Sequence, residues 1–200
     1  HKPLAGSAES PQSTWTDIIG RTNYLSTVKG YIRLAKQKNM NTLFYNLAMG
    51  ALSNAAQDGV KETWYIYKDQ AHTQKDHHPL GPPFKSNIYL TNPANTEWQN
   101  YLRDKNAEVY AALDFDGYHI DQLGNRGDVY DYSGQKVDLS ASYKSFIEAM
   151  KAGAPGKRLV MNAVSQYGQQ NSISRTDVDF LYSEIWNETV TFQDLSQVIL

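Results

Sequence analysis

Hydrophobic and polar positions along this chain follow two different periods, which predict helices and strands in alternation. Apolar side chains recur every three to four positions over about 96–113 and 141–152, the spacing of one face of an α-helix. Residues 158–164 form a near-continuous apolar run, which is typical of a strand buried on both faces. The other predicted elements are a helix and three strands, at about 26–37, 42–46, 117–121 and 178–186. Ser26 is predicted to cap the first helix and Thr96 the helix at 96–113. The predicted apolar face of the first helix consists of Val28, Tyr31, Ile32, Leu34 and Ala35.

The alternating order of strands and helices predicts a parallel α/β sheet with right-handed crossovers. Each predicted strand carries polar side chains near its C-terminal end, namely Tyr45 and Asn46, Asp121, Asn162, and Glu184. A TIM-type (β/α)8 barrel has its active site at that end of its strands. An open flavodoxin-like sheet also binds ligands there, so this pattern leaves both architectures open.

Composition and charge exclude several classes of function. The 200 residues carry a net charge of −2, so no basic surplus is available to neutralise the phosphates of a nucleic acid. No apolar run approaches the ~20 residues that span a bilayer, and the absence of cysteine excludes disulfides and thiolate chemistry. His72, His77 and His78 lie in a proline-rich segment without the i, i+4 spacing of zinc ligands. A solvated loop is therefore favoured there, and we predict no metal and no cofactor.

Asp121 is the first candidate for chemistry, because a carboxylate that ends a strand at a glycine-containing loop is often catalytic in α/β folds. Taken alone, it is equally well explained as a cap of the next turn. Glu184 ends the next strand but one, so the two carboxylates can face each other across the rim of a barrel. Glycoside hydrolysis needs such a pair, and the proximity of two like charges raises the pKa of one of them. The alternative is that Glu184 forms a structural ion pair with a lysine or arginine.

The chain also resembles glycoside hydrolase family 66 in several segments that occur in order. They are Asp116-Gly-Tyr-His-Ile-Asp-Gln-Leu-Gly-Asn-Arg-Gly127, Val129-Tyr-Asp-Tyr132, Leu159-Val-Met-Asn-Ala-Val164 with Gln166-Tyr-Gly168, and Phe180-Leu-Tyr-Ser-Glu-Ile-Trp186. The resemblance implies a (β/α)8 barrel and retaining chemistry on α-1,6-glucans such as dextran. It also implies that Asp121 is the nucleophile and Glu184 the acid/base.

The same resemblance implies that residues 1–200 are part of a single catalytic domain and supply roughly strands three to six of its barrel. A whole barrel takes about 250 residues, so we expect a fragment of a longer secreted enzyme. Its expected location is extracellular, periplasmic or at the surface of a bacterium, with any signal peptide outside this chain. Its expected partner is a polysaccharide.

Further polar and aromatic side chains are predicted to contact the substrate. His119 shares a face of its strand with Asp121, and it binds a glucosyl hydroxyl, orients Asp121 or is a satisfied structural histidine. Asn162 either binds the 2-hydroxyl of the sugar or steadies a carboxylate. The remaining predicted contacts are Tyr45, Asn46, Gln122, Asn125, Tyr167, Tyr182 and Trp186.

The expected function is cleavage of internal dextran bonds through a covalent glucosyl-enzyme. The first alternative is a cycloisomaltooligosaccharide glucanotransferase, which makes cyclic α-1,6-glucans by intramolecular transglycosylation. The second is a non-catalytic α-glucan-binding protein. The presence of both Asp121 and Glu184 disfavours that second alternative, because binding alone requires no acid and nucleophile pair.

Overall fold

Four helices and eight strands occur within residues 3–199, the part of the chain that the computed structural model describes. In chain order the elements are β1 (Thr14–Thr16), β2 (Thr22–Tyr24), α1 (Leu25–Gln37), β3 (Leu43–Leu47), β4 (His77–His78), β5 (Ile88–Tyr89), α2 (Thr96–Ala112), β6 (Gly117–Asp121), α3 (Leu139–Gly153), β7 (Arg158–Asn162), β8 (Phe180–Tyr182) and α4 (Phe192–Ile199).

A parallel sheet in the order β3-β6-β7-β8 forms the centre of the molecule. Helices α2 and α3 make the crossovers between its first three strands, whereas short 3-10 turns at Val164–Gln166 and Ile173–Arg175 connect β7 to β8. The register pairs Tyr45 with His119, and Asn162 with Tyr182. Because side chains alternate along a strand, one face of the sheet collects the polar residues.

The opposite face of the sheet packs against α2 and α3 and forms the hydrophobic core. Phe44 stacks on Tyr118 with ring centroids 5.1 Å apart, and Phe115 meets Phe44 edge-on at 5.6 Å. Ile120 and Met161 are completely buried on the same face. This packing holds the strands in register, so it also sets the spacing of the polar side chains on the other face.

The loops that follow β3 and β6 are fastened to each other at the C-terminal end of the sheet. Tyr67 and Tyr130 exchange two backbone hydrogen bonds of 2.7 and 2.9 Å. Arg126 binds the buried carboxylate of Asp76 through two hydrogen bonds of 2.7 and 2.9 Å, and Lys68 lies 3.3 Å from the same carboxylate. A bidentate pair of this kind fixes geometry as well as charge. The segment that begins at the end of β6 is therefore held in a defined position.

Several predicted details of the elements are wrong. Helix α1 follows Tyr24 without a side-chain cap, so Ser26 lies inside the helix and does not cap it. Helix α2 is capped by Asn95, whose side chain accepts from the backbone of Trp98, and not by Thr96. Within the predicted inward face of α1, Tyr31 and Leu34 are exposed because no element among residues 3–199 covers them.

The predicted strand at 178–186 is also too long, since β8 ends at Tyr182. Glu184 therefore lies two residues beyond the strand that it was expected to close. Both edge strands of the sheet, β3 and β8, lack a further neighbour among residues 3–199. The described residues establish a parallel α/β sheet, and closure into a barrel stays a prediction. Within that same range no helix combines the length and apolarity needed to cross a bilayer.

Candidate active site

Asp121 ends β6 with its carboxylate held by three neutral donors. Tyr45 Oη donates to Oδ2 at 2.5 Å, while the backbone N–H of Gln122 and Asn162 Nδ2 each donate to Oδ1 at 2.9 Å. The side chain of Asp121 is half-buried. Hydrogen bonds to an ionised acceptor are short and strongly directional, so these donors fix the orientation of the carboxylate.

Asn162 joins the two predicted carboxylates. Its Nδ2 donates to Asp121 Oδ1 and to Glu184 Oε2, each at 2.9 Å, and its Oδ1 accepts from the backbone N–H of Glu184 at 3.0 Å. The two carboxylate oxygens are thus no more than 5.8 Å apart, the sum of the two 2.9 Å bonds. Retaining glycosidases separate their carboxyl groups by about 5–5.5 Å and inverting ones by about 6.5–9.5 Å. The upper limit of 5.8 Å applies to one oxygen of each carboxylate, and it is shorter than the separation of the carboxyl groups in inverting enzymes.

Burial makes Asn162 an effective bridge, since its side chain is 2% exposed. Its amide can be oriented in one way only, because the oxygen must accept from the Glu184 N–H and the nitrogen must donate to the carboxylates. Of the two roles predicted for Asn162, the structure supports the steadying of a carboxylate, and it does so for both carboxylates at once.

Tyr45, His119 and Tyr182 line the same face of the sheet beside the carboxylates. His119 Nε2 lies 2.7 Å from Tyr182 Oη, and the ring of Tyr45 meets the His119 ring edge-on at 5.4 Å. Burial lowers the pKa of His119 although the charge of Asp121 opposes this, so the imidazole is neutral at pH 7. Burial, with the Asp121 hydrogen bond, raises the pKa of Tyr45 far above its ordinary value, so the phenol stays protonated and donates.

The prediction that Gln122 contacts the substrate is wrong, because its side chain is buried inside the loop after β6. Its Oε1 accepts from the Gly124 N–H at 2.5 Å and from Tyr143 Oη at 3.3 Å, while Nε2 donates to the carbonyl of Tyr167 at 3.2 Å. The exposure of Gln122 is 1%. Its role in this structure is to shape the loop, and it is not available to a ligand.

Four other residues predicted to contact the substrate have their own local surroundings. The ring of Tyr167 packs edge-on against Tyr143 of α3 at 6.2 Å. Asn46 pairs in register with Ile120 and so lies on the helix-facing side of the sheet. Asn125 is exposed and accepts from the Gly127 N–H at 2.9 Å, and Trp186 is exposed beyond Glu184. None of these observations tests whether the four side chains contact a substrate at the Asp121–Glu184 pair, so those contacts stay predictions.

Some residues that organise the site were not found from the sequence. The contact of Arg126 with Asp76 joins positions 50 apart, and no local spacing indicates it. Hydrogen bonds of the Ser165 N–H and the Ser183 hydroxyl also connect the loop after β7 with the segment after β8. No pattern in the sequence indicates either of these two residues. Among residues 3–199, no three His, Cys, Asp or Glu side chains are grouped so that they could hold a metal ion.

Comparisons with known proteins find similarity along the whole of this chain. A family model described as Glycosyl hydrolase family 66 matches residues 1–200. The chain is 30% identical over 207 residues to a cycloisomaltooligosaccharide glucanotransferase of Niallia circulans, across 99% of this chain and 21% of that protein. It is 31% identical over 100 residues to a dextranase of Streptococcus salivarius, across 47% of this chain and 12% of that protein.

A solved structure gives the same result. The crystal structure of a Paenibacillus sp. cycloisomaltooligosaccharide glucanotransferase complexed with cycloisomaltoheptaose matches with a TM-score of 0.89 and 29% identity, over 99% of this chain and 29% of that chain. The present chain spans about a fifth of the curated glucanotransferase that it matches. Because the family model covers the whole of the chain, this protein belongs to glycosyl hydrolase family 66.

Proposed function

We propose that this protein is a retaining glycoside hydrolase that cleaves internal α-1,6-glucosidic bonds of dextran, with Asp121 as nucleophile and Glu184 as acid/base. The observation that carries the proposal is the Asn162 bridge, which keeps two carboxylate oxygens within 5.8 Å, the sum of two 2.9 Å bonds. One short distance between carboxylate oxygens favours the closely spaced carboxyl groups of a retaining enzyme over the pair about 6.5–9.5 Å apart that holds a water in an inverting enzyme. Similarity to a dextranase and to glucanotransferases supports an α-1,6-glucan as substrate.

The first step forms a covalent intermediate. Asp121 attacks the anomeric carbon of the glucosyl unit, the glycosidic carbon–oxygen bond breaks, and Glu184 transfers its proton to the leaving oxygen. Asp121 Oδ2 accepts one hydrogen bond and Oδ1 accepts two, so Oδ2 has the freer lone pairs for attack. The donors at Oδ1 keep the carboxylate plane fixed while the new bond forms.

The second step reverses the roles of the groups. Glu184, now ionised, takes a proton from water, and the water oxygen attacks the anomeric carbon and releases Asp121. Two displacements at the same carbon retain its α configuration. If a hydroxyl from the other end of the same glucan chain takes the place of water, the product is a cyclic glucan.

Cyclisation is the second candidate function, and one observation favours it. The similarity to the Niallia circulans glucanotransferase extends over 99% of this chain, whereas the similarity to the Streptococcus salivarius dextranase extends over 47%. Both activities use the same first step, so the carboxylate pair does not discriminate between them. Mass spectrometry of the products that the full-length protein makes from dextran separates linear isomaltooligosaccharides from cycles, which are lighter by one water.

We also propose that β3, β6, β7 and β8 correspond to roughly the third to sixth strands of a (β/α)8 barrel. The unpaired edges of β3 and β8, and the TM-score of 0.89 to the Paenibacillus enzyme, support this assignment. Because a glucan polymer does not enter cells, the proposed substrate supports action outside the cytoplasm. Fractionation of cells that express the full-length protein tests the location, and recovery in the cytoplasm alone would contradict it.

The experiment that tests the catalytic assignment uses Asp121→Asn and Glu184→Gln in the full-length protein with dextran as substrate. We expect each to reduce kcat by at least ~10²-fold, because each removes a group that bonds to or protonates the reacting atoms. The matched control is Asp114→Asn, an exposed carboxylate paired with Lys36 at the other end of the sheet. Full activity of Asp121→Asn, or a first product of β configuration by NMR, would contradict the proposal.

A further inference from the structure

We propose that Ser183 is a positioning residue that holds Glu184 in place through the strained turn at Ser165 and Gln166, and this inference rests on the acid/base role proposed for Glu184. Ser165 and Gln166 are consecutive non-glycine residues with φ angles of 49° and 62°. Non-glycine residues rarely adopt this left-handed backbone conformation, and it persists only when surrounding contacts enforce it. The turn begins three residues after Asn162, the residue that bridges the two carboxylates.

The hydroxyl of Ser183 provides contacts that enforce the turn. It accepts from the Gln166 N–H at 3.1 Å and donates to the carbonyl of Ala163 at 2.7 Å. One side chain from the segment after β8 thus uses both its donor and its acceptor on the loop after β7. The Gln166 N–H is shared with the Ala163 carbonyl at 2.8 Å, which closes the turn on itself.

The turn in its left-handed form presents the Ser165 N–H to Glu184. This N–H donates to the Glu184 carbonyl at 3.1 Å, while the Glu184 N–H donates to Asn162 Oδ1 at 3.0 Å. Asn162 Nδ2 holds the carboxylate of Glu184 at 2.9 Å. Glu184 is therefore held at its N–H, its carbonyl and its side chain, all by residues 162–165. Ser165 Oγ also bonds to Glu188 and gives the two segments a further link.

Glu184 needs this support because it lies outside the regular ladder. Strand β8 ends at Tyr182, so no strand pairing fixes the backbone at position 184. A general acid must place its proton on the leaving oxygen, and a shift of about 1 Å can reduce a rate about 100-fold. Loss of the Ser183 hydroxyl would remove a contact that stabilises the turn, and the Ser165 N–H would no longer be held against Glu184. Ser183 has no place in the chemistry itself, since both of its hydrogen bonds go to backbone groups.

The dependence of kcat/KM on the leaving group tests this inference. Loss of the general acid slows only substrates whose leaving group must be protonated, whereas misfolding slows all substrates. The full-length protein with Ser183→Ala is assayed on dextran and on a 2,4-dinitrophenyl isomaltooligosaccharide, whose leaving phenol requires no protonation. We expect kcat/KM on dextran to fall at least about tenfold, since general acid catalysis contributes about 10²–10⁴-fold. The value of kcat/KM on the dinitrophenyl substrate should change less than about twofold, because it reports only the first step, in which Asp121 attacks. Ser183→Thr keeps the hydroxyl and should restore activity on dextran.

Ser174→Ala is the matched control, since the Ser174 hydroxyl also bonds to a carbonyl, that of Gln170 at 3.2 Å, in the connection between β7 and β8. It should change neither substrate. Ser183→Cys, a weaker donor of similar shape, gives a graded loss on dextran if the alanine variant does not fold. Equal losses on both substrates, or no loss on dextran, would overturn the role of Ser183. Glu184→Gln is assayed on the same two substrates and should lose far more activity on dextran than on the dinitrophenyl substrate. Equal losses on both would contradict the acid role of Glu184, and with it the role of Ser183.

Discussion

The two ends of the central sheet each carry a pair of carboxylates, and the pairs differ in what neutralises them. At the N-terminal end, Lys36 lies 2.6 Å from Asp114 and 3.5 Å from Asp116. At the C-terminal end, the carboxylates of Asp121 and Glu184 accept from a tyrosine hydroxyl, a side-chain amide and one backbone N–H, and within residues 3–199 neither forms an ion pair with Lys, Arg or His.

This difference separates a structural role from a chemical one. A carboxylate next to a lysine has its charge satisfied by the fold, and removing it affects mainly stability. Carboxylates that accept only from neutral donors are fixed in orientation, but no opposite charge pairs with them, so they can interact with the reacting atoms of a substrate. The comparison therefore predicts that changes at the C-terminal end reduce activity with little effect on stability, and that changes at the N-terminal end do the opposite.

Apart from changes to the two carboxylates themselves, the largest effect is expected for Asn162→Ala. It removes a donor that Asp121 and Glu184 share, so kcat/KM on dextran should fall by about 10²–10³-fold, as for loss of a preorganised donor in other active sites. Asn106→Ala is the matched control, because Asn106 is also buried but bonds to Met150 between α2 and α3. Steady-state kinetics and thermal unfolding are measured for both variants. An equally large loss of activity in Asn106→Ala would show that the loss in Asn162→Ala does not come from its contacts with the carboxylates.

A smaller loss is expected for Tyr45→Phe. This variant removes the 2.5 Å hydrogen bond to Asp121 Oδ2, and bonds to charged groups contribute about 1.5–3 kcal/mol, which corresponds to roughly 10- to 100-fold in kcat/KM. Tyr101→Phe serves as control, since the Tyr101 hydroxyl donates to the Asp58 carbonyl at 3.0 Å, away from the carboxylate pair. Equal activity of the two variants would show that the Asp121 contact has no role in the reaction.

At the other end of the sheet, Asp116→Asn should lower the free energy of unfolding by about 1 kcal/mol and leave kcat unchanged. Burial opposes ionisation of Asp116, but hydrogen bonds from Thr42 and the charge of Lys36 outweigh it and lower its pKa. The stabilisation is complete above the ordinary pKa of 3.8 and is lost as the pH falls through the lower folded-state value. Urea unfolding of both proteins at pH 7 and at about pH 3 should therefore show a difference that narrows in acid. A difference that widened in acid would contradict the assignment.

The smallest effect is expected for Asp114→Asn, because the Asp114 side chain is 75% exposed and its ion pair with Lys36 is screened by solvent. Exposed pairs of this kind contribute about 0–1 kcal/mol, and raising the ionic strength weakens them further. Thermal unfolding should show a difference from the unmodified protein that is small in low salt and smaller still in high salt. A loss of activity in this variant would contradict the division between the two ends.

The sequence predicted the strands that carry the site better than the details around them. The apolar pattern located β6 at 117–121 and the start of β7 at 158, because both strands are buried and their patterns are strong. The same pattern gave the wrong end for β8. The apolar run at 178–186 continues past the strand, whereas the neighbouring segment after β7 turns away from it at Ser165. The sequence also assigned Gln122 to the substrate, since a polar residue next to Asp121 gives no sign that its amide is satisfied inside the loop.

By itself the sequence determined the parallel α/β order, the two carboxylates at or just beyond the C-terminal ends of strands, and the membership of glycosyl hydrolase family 66. These follow from local periodicity and from short ordered segments, which are properties of neighbouring residues. The tertiary structure alone decided that Asn162 bridges Asp121 and Glu184, that Tyr45 binds Asp121, and that the left-handed turn at Ser165 holds Glu184. Each of these contacts joins different strands or the loops that follow them, so it exists only once the core has set the register of the sheet.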